Sequence, residues 1–338
     1  MEEKMEKKSY GFDYTKTHVN YVSYYRNGSW DEGVLEEDDT IRISKMSTGL
    51  HYGQQAFEGM KAYRRADGRV QLFRPYDNAR RFIKSCERSM MPVVPVEKFI
   101  EAVTRTVRAN IDFVPPHESR ATLYIRPYIV GIGHNIGLKP SSEYVFGVVV
   151  LPVGTYFGPA SKPVDFVVTE YDRAAPNGVG HVKVGGNYAA SLYPQYHAKE
   201  EGYKDCIFLD PATHTKIEEA GAANFFAITK DGKYITPKSP SILKGITNDS
   251  LMYIARNILK IDVERTDIYI DELDHLSEAG ACGTAAIITP VGSITRDKKR
   301  FVLPYHDEMG PVTQKLYDNL TGIQFGDIED PNDWIVVL

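Results

Sequence analysis

Pro152-Val153-Gly154-Thr155-Tyr156-Phe157-Gly158-Pro159-Ala160-Ser161-Lys162-Pro163 crowds three prolines and two glycines into twelve residues. Proline fixes φ and removes a donor while glycine loosens the backbone, so the stretch reads as a connection between domains. It divides the 338 residues into a first unit, 1–151, and a second, 164–338, with 152–163 between them. Each half is long enough to bury a core of its own.

Working back toward the N-terminus, apolar runs at Thr122–Val130 and Tyr144–Leu151 predict strands. Two further β-rich runs between Lys61 and Phe73 flank Ala66-Asp67-Gly68, where Asp-Gly supplies the positive φ of a tight hairpin. Ala79, Phe82, Ile83, Cys86 and Met90 keep helical spacing until Pro92, and Val96, Phe99, Ile100, Val103, Val107 and Ile111 repeat it. Strands and helices fall in separate runs, which predicts an α+β unit. Past the connection, short strands are expected at Asp165–Thr169, Cys206–Asp210, Asn224–Thr229 and Thr284–Thr289, broken by turns such as Lys230-Asp231-Gly232. A helix with Thr247 as its N-cap buries Leu251, Ile254, Ala255, Ile258 and Leu259, and another runs from Gly310 to about Leu320. No internal repeat appears, which excludes solenoids and propellers.

The composition narrows the function. A net charge of −5, with lysine and arginine scattered, leaves no footprint for nucleic acid. The charged start MEEKMEKKSYGFDY has no apolar core of a secretory signal, and the longest apolar run, Val145–Val153, is far shorter than a membrane span. Three widely spaced cysteines, Cys86, Cys206 and Cys282, fit a reducing compartment as buried small hydrophobes, and a cytoplasmic location is expected. Neither G-x-x-x-x-G-K-[ST], H-E-x-x-H nor G-x-S-x-G is present. Gly131, Gly133 and Gly137 in GIGHNIG follow a strand, but no helix follows them, so they read as a loop rather than a dinucleotide cradle.

Chemistry is concentrated in the second unit. Lys183, in His181-Val182-Lys183-Val184-Gly185-Gly186-Asn187-Tyr188, lies between two valines that predict burial and beside paired glycines that let a bulky group approach the backbone. A lysine so placed escapes the protonation that silences it in water. Glu219, in Ile217-Glu218-Glu219-Ala220-Gly221, reads by itself as an exposed acid at a hairpin corner. If Lys183 holds pyridoxal phosphate, the ring nitrogen needs a carboxylate partner and the two residues explain each other. Gly245-Ile246-Thr247-Asn248-Asp249, at a helix start, and the small-residue turn Gly283-Thr284-Ala285-Ala286 offer backbone N–H groups to a phosphate or carboxylate. Arg81, on a predicted helix, is a candidate to close that site.

The segments LHYGQQAFEG (Leu50–Gly59), NARRF (Asn78–Phe82), LYIRP (Leu123–Pro127), KVGGNY (Lys183–Tyr188), EEAGAANFF (Glu218–Phe226), GITNDSL (Gly245–Leu251) and GTAAIITPV (Gly283–Val291) follow one another in this order. Together they resemble a branched-chain amino-acid aminotransferase, a class IV enzyme of pyridoxal-phosphate fold type IV, from about Tyr10 to the C-terminus. The resemblance implies a small N-terminal α+β domain and a larger cofactor-binding domain with a mixed, β-barrel-like sheet and helices.

It makes Lys183 the Schiff-base lysine and proton shuttle, Glu219 the ring-nitrogen partner and Tyr188 the partner of the ring hydroxyl. Arg81, Ile246, Thr247 and Thr284 match the phosphate grip, and Thr284 and Ala285 the turn that orients the substrate carboxylate. Tyr52, Phe57, Tyr124 and Tyr156 match the substrate pocket, and Arg126 the group that receives the side-chain carboxylate of glutamate. Tyr52 and the loop with Ile136 and Leu138 would reach a neighbouring subunit, implying a homodimer.

The implied reaction moves the amino group of leucine, isoleucine or valine to 2-oxoglutarate, in ping-pong fashion. Three positions depart from the family pattern: Asn248 where many relatives have arginine, Ala222 where eukaryotic ones have threonine, and no C-x-x-C after Thr284. D-amino-acid aminotransferases and aminodeoxychorismate lyases share the fold but match LHYGQQAFEG and LYIRP less well. A nucleotide-binding module built on GIGHNIG would leave Lys183 without a role.

Overall fold

A computed structural model describes residues 13–154 and 162–338. The strands before the connection are β1 (Asn20–Arg26), β2 (Ser29–Trp30), β3 (Val34–Glu36), β4 (Gln55–Phe57), β5 (Met60–Arg64), β6 (Val70–Phe73), β7 (Thr122–Gly131) and β8 (Tyr144–Val153), with helices α1 (Thr48–Tyr52), α2 (Pro75–Arg88) and α3 (Val96–Ala109). After it come β9 (Val164–Val168), α4 (Gly185–Glu200), β10 (Asp205–Leu209), β11 (Ile217–Ala220), β12 (Ala223–Thr229), β13 (Tyr234–Pro237), α5 (Ile246–Tyr253), β14 (Val263–Thr266), β15 (Leu276–Gly283), β16 (Ile287–Arg296), β17 (Lys299–Val302), α6 (Pro311–Phe325) and β18 (Ile335–Val337).

The β5–β6 hairpin turns where Asp-Gly predicts, with Gly68 at φ +85°. Among the described residues, the first sheet is antiparallel, ordered β18-β6-β5-β7-β8-β1-β2, with β3 against β1 and β4 against β7. The amphipathic spacing of α2 and α3 sets Phe82, Cys86, Phe99, Val103 and Val107 against Leu123, Ile125, Phe146 and Val148 of the sheet. Met90 departs from the expected pattern. The chain passes through the left-handed region there, at φ +52°, which leaves Met90 exposed and buries Met91 instead.

The second sheet closes on itself. Strands β11, β10, β9, β16, β15 and β12 pair in turn, and β11 pairs again with β12, making a six-stranded ring among the described residues. Its β9 pairings are parallel and the others antiparallel, so the barrel is mixed, as the resemblance implied. Phe166, Ile207, Phe225, Ala281 and Ile294 belong to its core. A third core joins Tyr63 and Phe73 of the first sheet to α5, α6 and the faces of β12 and β15.

Three expectations shift in detail. Thr247 is the second residue of α5 rather than its cap: Gly245 occupies the cap position, and no side chain bonds the first N–H groups. The expected strand Thr284–Thr289 is a turn up to Ala286, and β16 starts at Ile287, whose φ of +59° is rare for a β-branched residue. The last helix continues past Leu320 to Phe325, its start held by the Glu278 carboxylate, which accepts from Val312 N at 3.0 Å and Thr313 N at 2.7 Å. GIGHNIG is a loop, and the three cysteines are buried free thiols. No described helix is long and apolar enough to cross a membrane.

Candidate active site

Lys183 is fixed from behind. Its N–H donates to Ser85 Oγ at 3.0 Å, its carbonyl accepts from Phe57 N at 3.1 Å, and Val184 bridges to Ala56 of β4. Val182 and Val184 are buried in the first core, so the backbone on either side of the lysine is anchored while its side chain faces a cavity. A Cβ at Gly185 would lie 1.7 Å from Gln55 Nε2, which explains the glycine after Val184. The chain then enters α4, whose first turn presents Tyr188, and Lys183 Nζ donates to the Tyr188 hydroxyl at 2.6 Å. The Phe57 ring closes this corner, its centroid 4.8 Å from Nζ.

Glu219 is buried at 4% exposure, not exposed as the residue reads taken by itself. The reason is topological: β11 pairs on both edges where the barrel closes. Its Oε2 lies 2.7 Å from Arg173 Nε, and its Oε1 accepts from Asn224 Nδ2 at 3.0 Å and Leu243 N at 3.2 Å. Burial pushes its carboxyl up to about 7, against the pull of Arg173, the Leu243 N–H and Lys183 and with a further push from Glu218.

The sign of the resulting pH dependence follows. Because the folded-state value is raised above the ordinary 4.5, folding binds this proton more tightly, and stability is lost as pH rises from about 4.5 to about 7. Glu219→Gln cannot titrate, so over that window its unfolding free energy should fall less than that of the wild type, by on the order of 3 kcal/mol. Chemical denaturation of both cofactor-free proteins across the window reads this directly; parallel curves would mean the carboxyl is ionised throughout.

A seat for an anion lies opposite. The uncapped start of α5 brings Ile246 and Thr247 to the cavity wall, where free N–H groups and the helix dipole favour negative charge. Arg81 stands beside it, donating from Nη1 to Lys244 O at 3.3 Å and gripping the fully buried Glu58 with two contacts of 2.7 Å. Thr284 Oγ1 donates to Gly59 O at 3.1 Å, and Lys61 Nζ to Ala285 O at 3.2 Å, so the strand from Gly59 to Lys61 clasps the Thr284–Ala286 turn. Burial draws the Lys61 amine down to about 7.

The site is one cavity of about 790 Å³, behind whose wall Glu58 and Lys61 lie. Lys183, Tyr188, Glu219, Arg81, Ile246, Thr247, Thr284, Ala285, Phe57, Tyr124 and Arg126 all line it, as the sequence anticipated. Arg126 sits against two aromatic side chains of the lining, with Nη2 2.8 Å from the Tyr124 hydroxyl and its guanidinium 4.6 Å from the Phe57 ring centroid. Its buried Nε has no hydrogen-bond partner among the described residues. Tyr52 does not line the cavity: it is exposed, and its hydroxyl donates to the carbonyl of Ile136. Tyr156 lies outside the described residues. Arg173, Glu58 and Lys61 went unnoticed in the sequence, although Glu58 lies inside the quoted LHYGQQAFEG and Lys61 two residues past its end.

Residues 55–294 match the family model of amino-transferase class IV. The chain is 55% identical over 331 residues to a branched-chain-amino-acid aminotransferase of Haemophilus influenzae, covering 96% of each, and 50% identical over 335 residues to one of Helicobacter pylori, covering 98% of each. Its fold is similar to that of the Escherichia coli branched-chain amino acid aminotransferase, with a TM-score of 0.78 at 30% identity over 94% of this chain and 98% of that one. It also resembles a branched-chain aminotransferase of the thermophilic archaeon Thermoproteus uzoniensis solved with norvaline, with a TM-score of 0.77 at 28% identity over 94% and 99%. The chain belongs to the class IV aminotransferases, in the branched-chain-amino-acid aminotransferase family.

Proposed function

We propose that the protein transfers the amino group of L-leucine, L-isoleucine or L-valine to 2-oxoglutarate, yielding the branched 2-oxo acid and L-glutamate, with pyridoxal 5'-phosphate as cofactor. The observation that supports this most directly is the convergence on one cavity of Lys183, Tyr188 and Glu219 with an uncapped helix start. The donor set fits the cofactor: an amine for its aldehyde, a phenol for its ring hydroxyl, a buried carboxylate for its ring nitrogen, and N–H groups with Arg81 for its phosphate. Bound there, the cofactor supplies the carbonyl that takes the amino group and a ring that withdraws electrons from the substrate's α-carbon.

The chain's own residues do the rest. With the cofactor bound, Lys183 would take the proton from the substrate's α-carbon and deliver it to the cofactor carbon on the far side of the nitrogen, with Tyr188 holding its amine. Glu219 holds the proton on the ring nitrogen. Ile246 and Thr247 seat the phosphate with Arg81 and Thr284, and the Thr284–Ala285 turn orients the substrate carboxylate. Phe57 and Tyr124 give the side-chain end an apolar wall that excludes water; Tyr156 is assigned to that wall by the resemblance alone, and Tyr52, which does not line this chain's own cavity, to the site of a second copy.

One pocket must accept both an isobutyl group and a carboxylate, and an unpaired buried carboxylate is costly. Arg126 answers that need. Arg126→Ala should lower kcat/KM for 2-oxoglutarate by about 10- to 100-fold, the worth of a hydrogen bond to a charged group, while leucine loses much less. Equal losses measured in steady-state assays would remove Arg126 from this role.

The reading extends to a cytoplasmic homodimer in which Tyr52, Ile136 and Leu138, all exposed on a single chain, meet a second copy, and to a division into units 1–151 and 164–338. The deciding experiment is an absorption spectrum of the purified protein. A visible-edge band that moves to shorter wavelength with L-leucine and returns with 2-oxoglutarate is expected. A response to D-alanine instead would move the reading to the opposite stereochemistry, and no cofactor after reconstitution would end it.

A further inference from the structure

Two carboxylates lie side by side in the barrel wall, Glu218 at 3% and Glu219 at 4% exposure. Glu218 is satisfied by neutral donors, the hydroxyls of Ser239 and Ser241. Glu219 has a different partner: the buried guanidinium of Arg173, from the segment between β9 and α4, with Nε 2.7 Å from Oε2. Through Nη2 the same guanidinium donates to Gly180 O, further along its own segment, at 3.3 Å and to the carbonyl of Ser241 in another loop. Arg173 thus ties together the segment that leads to Lys183, the loop whose Leu243 N–H holds the other carboxylate oxygen, and Glu219 itself. The fit is close: a Cβ on Gly180 would lie 2.1 Å from Ser241 O and 3.0 Å from Arg173 Nη2.

We infer that Arg173 is a positioning residue of the active site, holding the Glu219 carboxyl at the cavity wall and supplying the buried positive charge that opposes its protonation. This rests on the cofactor reading above, in which Glu219 meets a protonated ring nitrogen. The groups facing Glu219 are Glu218 on its own strand, Cys282 on β15, Lys183 before α4, and Arg173. Burial holds the Cys282 thiol neutral by raising it well above its usual range, and Glu218 pushes Glu219 toward protonation. Lys183 draws the other way, but in the proposed reaction its amine is committed to bond formation and proton transfer. Arg173 is the cation that stays fixed throughout. Along one planar group Nε makes the charge contact with the carboxylate while Nη2 donates to the two carbonyls, a division that the single ammonium of a lysine does not reproduce.

The test compares wild type with Arg173→Met, Arg173→Lys and Glu219→Gln as full-length chains. In the cofactor-free proteins, ¹³C NMR of carboxyl-labelled glutamate, assigned by loss of the signal in Glu219→Gln, reads the Glu219 titration directly. Arg173→Met should move it upward by a unit or more, a tenfold change in proton affinity or greater, with Arg173→Lys in between. Reconstituted with pyridoxal 5'-phosphate, Arg173→Met should bind the cofactor about tenfold more weakly near pH 7 and recover near pH 9, whereas Glu219→Gln should show no such recovery.

An unchanged Glu219 titration, or a binding defect equal at both pH values, would overturn the inference and leave Arg173 a packing residue. If Arg173→Met does not fold, the same two readings on Arg173→Lys decide. A wild type that takes up no cofactor, beside a Glu219 titration that still moves, would instead defeat the cofactor reading and with it the place of Arg173 in the site.

Discussion

Lys183→Ala should lower the rate of leucine transamination by at least about 10⁴-fold and remove the visible-edge band, while the fold stays intact. The size follows from losing the group that bonds the cofactor and the acid–base group in one substitution; acid–base catalysis by itself contributes about 10²- to 10⁴-fold. The fold should survive because the attachments of this position are made by its backbone: the N–H to Ser85, the carbonyl to Phe57 and the bridge from Val184 to Ala56. Alanine keeps all three. The thermal midpoint should therefore move little, and Tyr188 loses only the amine that bonds its hydroxyl. A variant that still turned over leucine within tenfold of the wild type would remove Lys183 from the chemistry.

Glu58→Ala should be the most damaging substitution for stability among those considered. Glu58 is fully buried, and its carboxylate accepts from Arg81 twice and from Gly59 N, so removing it leaves a guanidinium in the interior without its counter-charge. Breaking a buried pair from one side costs about 3–5 kcal/mol. In a chain of this length that is a fall in Tm of about 4–7 °C. The loss should also be partly reversible. Arg81 borders the proposed phosphate seat, so pyridoxal 5'-phosphate or a high concentration of inorganic phosphate should raise the midpoint of the variant more than that of the wild type. Equal shifts for both, measured by calorimetry, would separate Arg81 from the phosphate.

What could be read in the sequence was what is local. Asp67-Gly68 names its hairpin, and the apolar spacing of α2 and α3 names their buried faces, because those signals sit within a few residues of one another. Lys183 was legible for the same reason: the valines that anchor it and Gly185, which lets Gln55 of β4 approach, are its near neighbours. Glu219 was harder. Its burial comes from barrel closure, which brings three separate strands together and leaves no mark in a ten-residue window. Arg173 was missed on similar grounds, since its carboxylate partner lies far along the chain and Tyr171-Asp172-Arg173 looks like an ordinary polar turn. Smaller errors at Met90, Thr247 and Thr284 share a cause: each stands at an element's end, where one left-handed residue or an uncapped turn shifts the boundary.

Strand β18 pairs with β6, setting Val337 opposite Gln71, and Gln71 Nε2 donates to the carbonyls of Ile323 and Gln324 at the end of α6. The first sheet is thus completed by residues that arrive only after the barrel has been threaded, and its β5–β6 corner is covered by a helix that also packs on β15 and β16. Such distant pairings carry a large loop-closure cost until the intervening chain is ordered, so refolding should be slow and the two halves should melt together, in one cooperative transition. For an active site assembled from both halves, a partly melted molecule that retained the cavity would have no population to draw on.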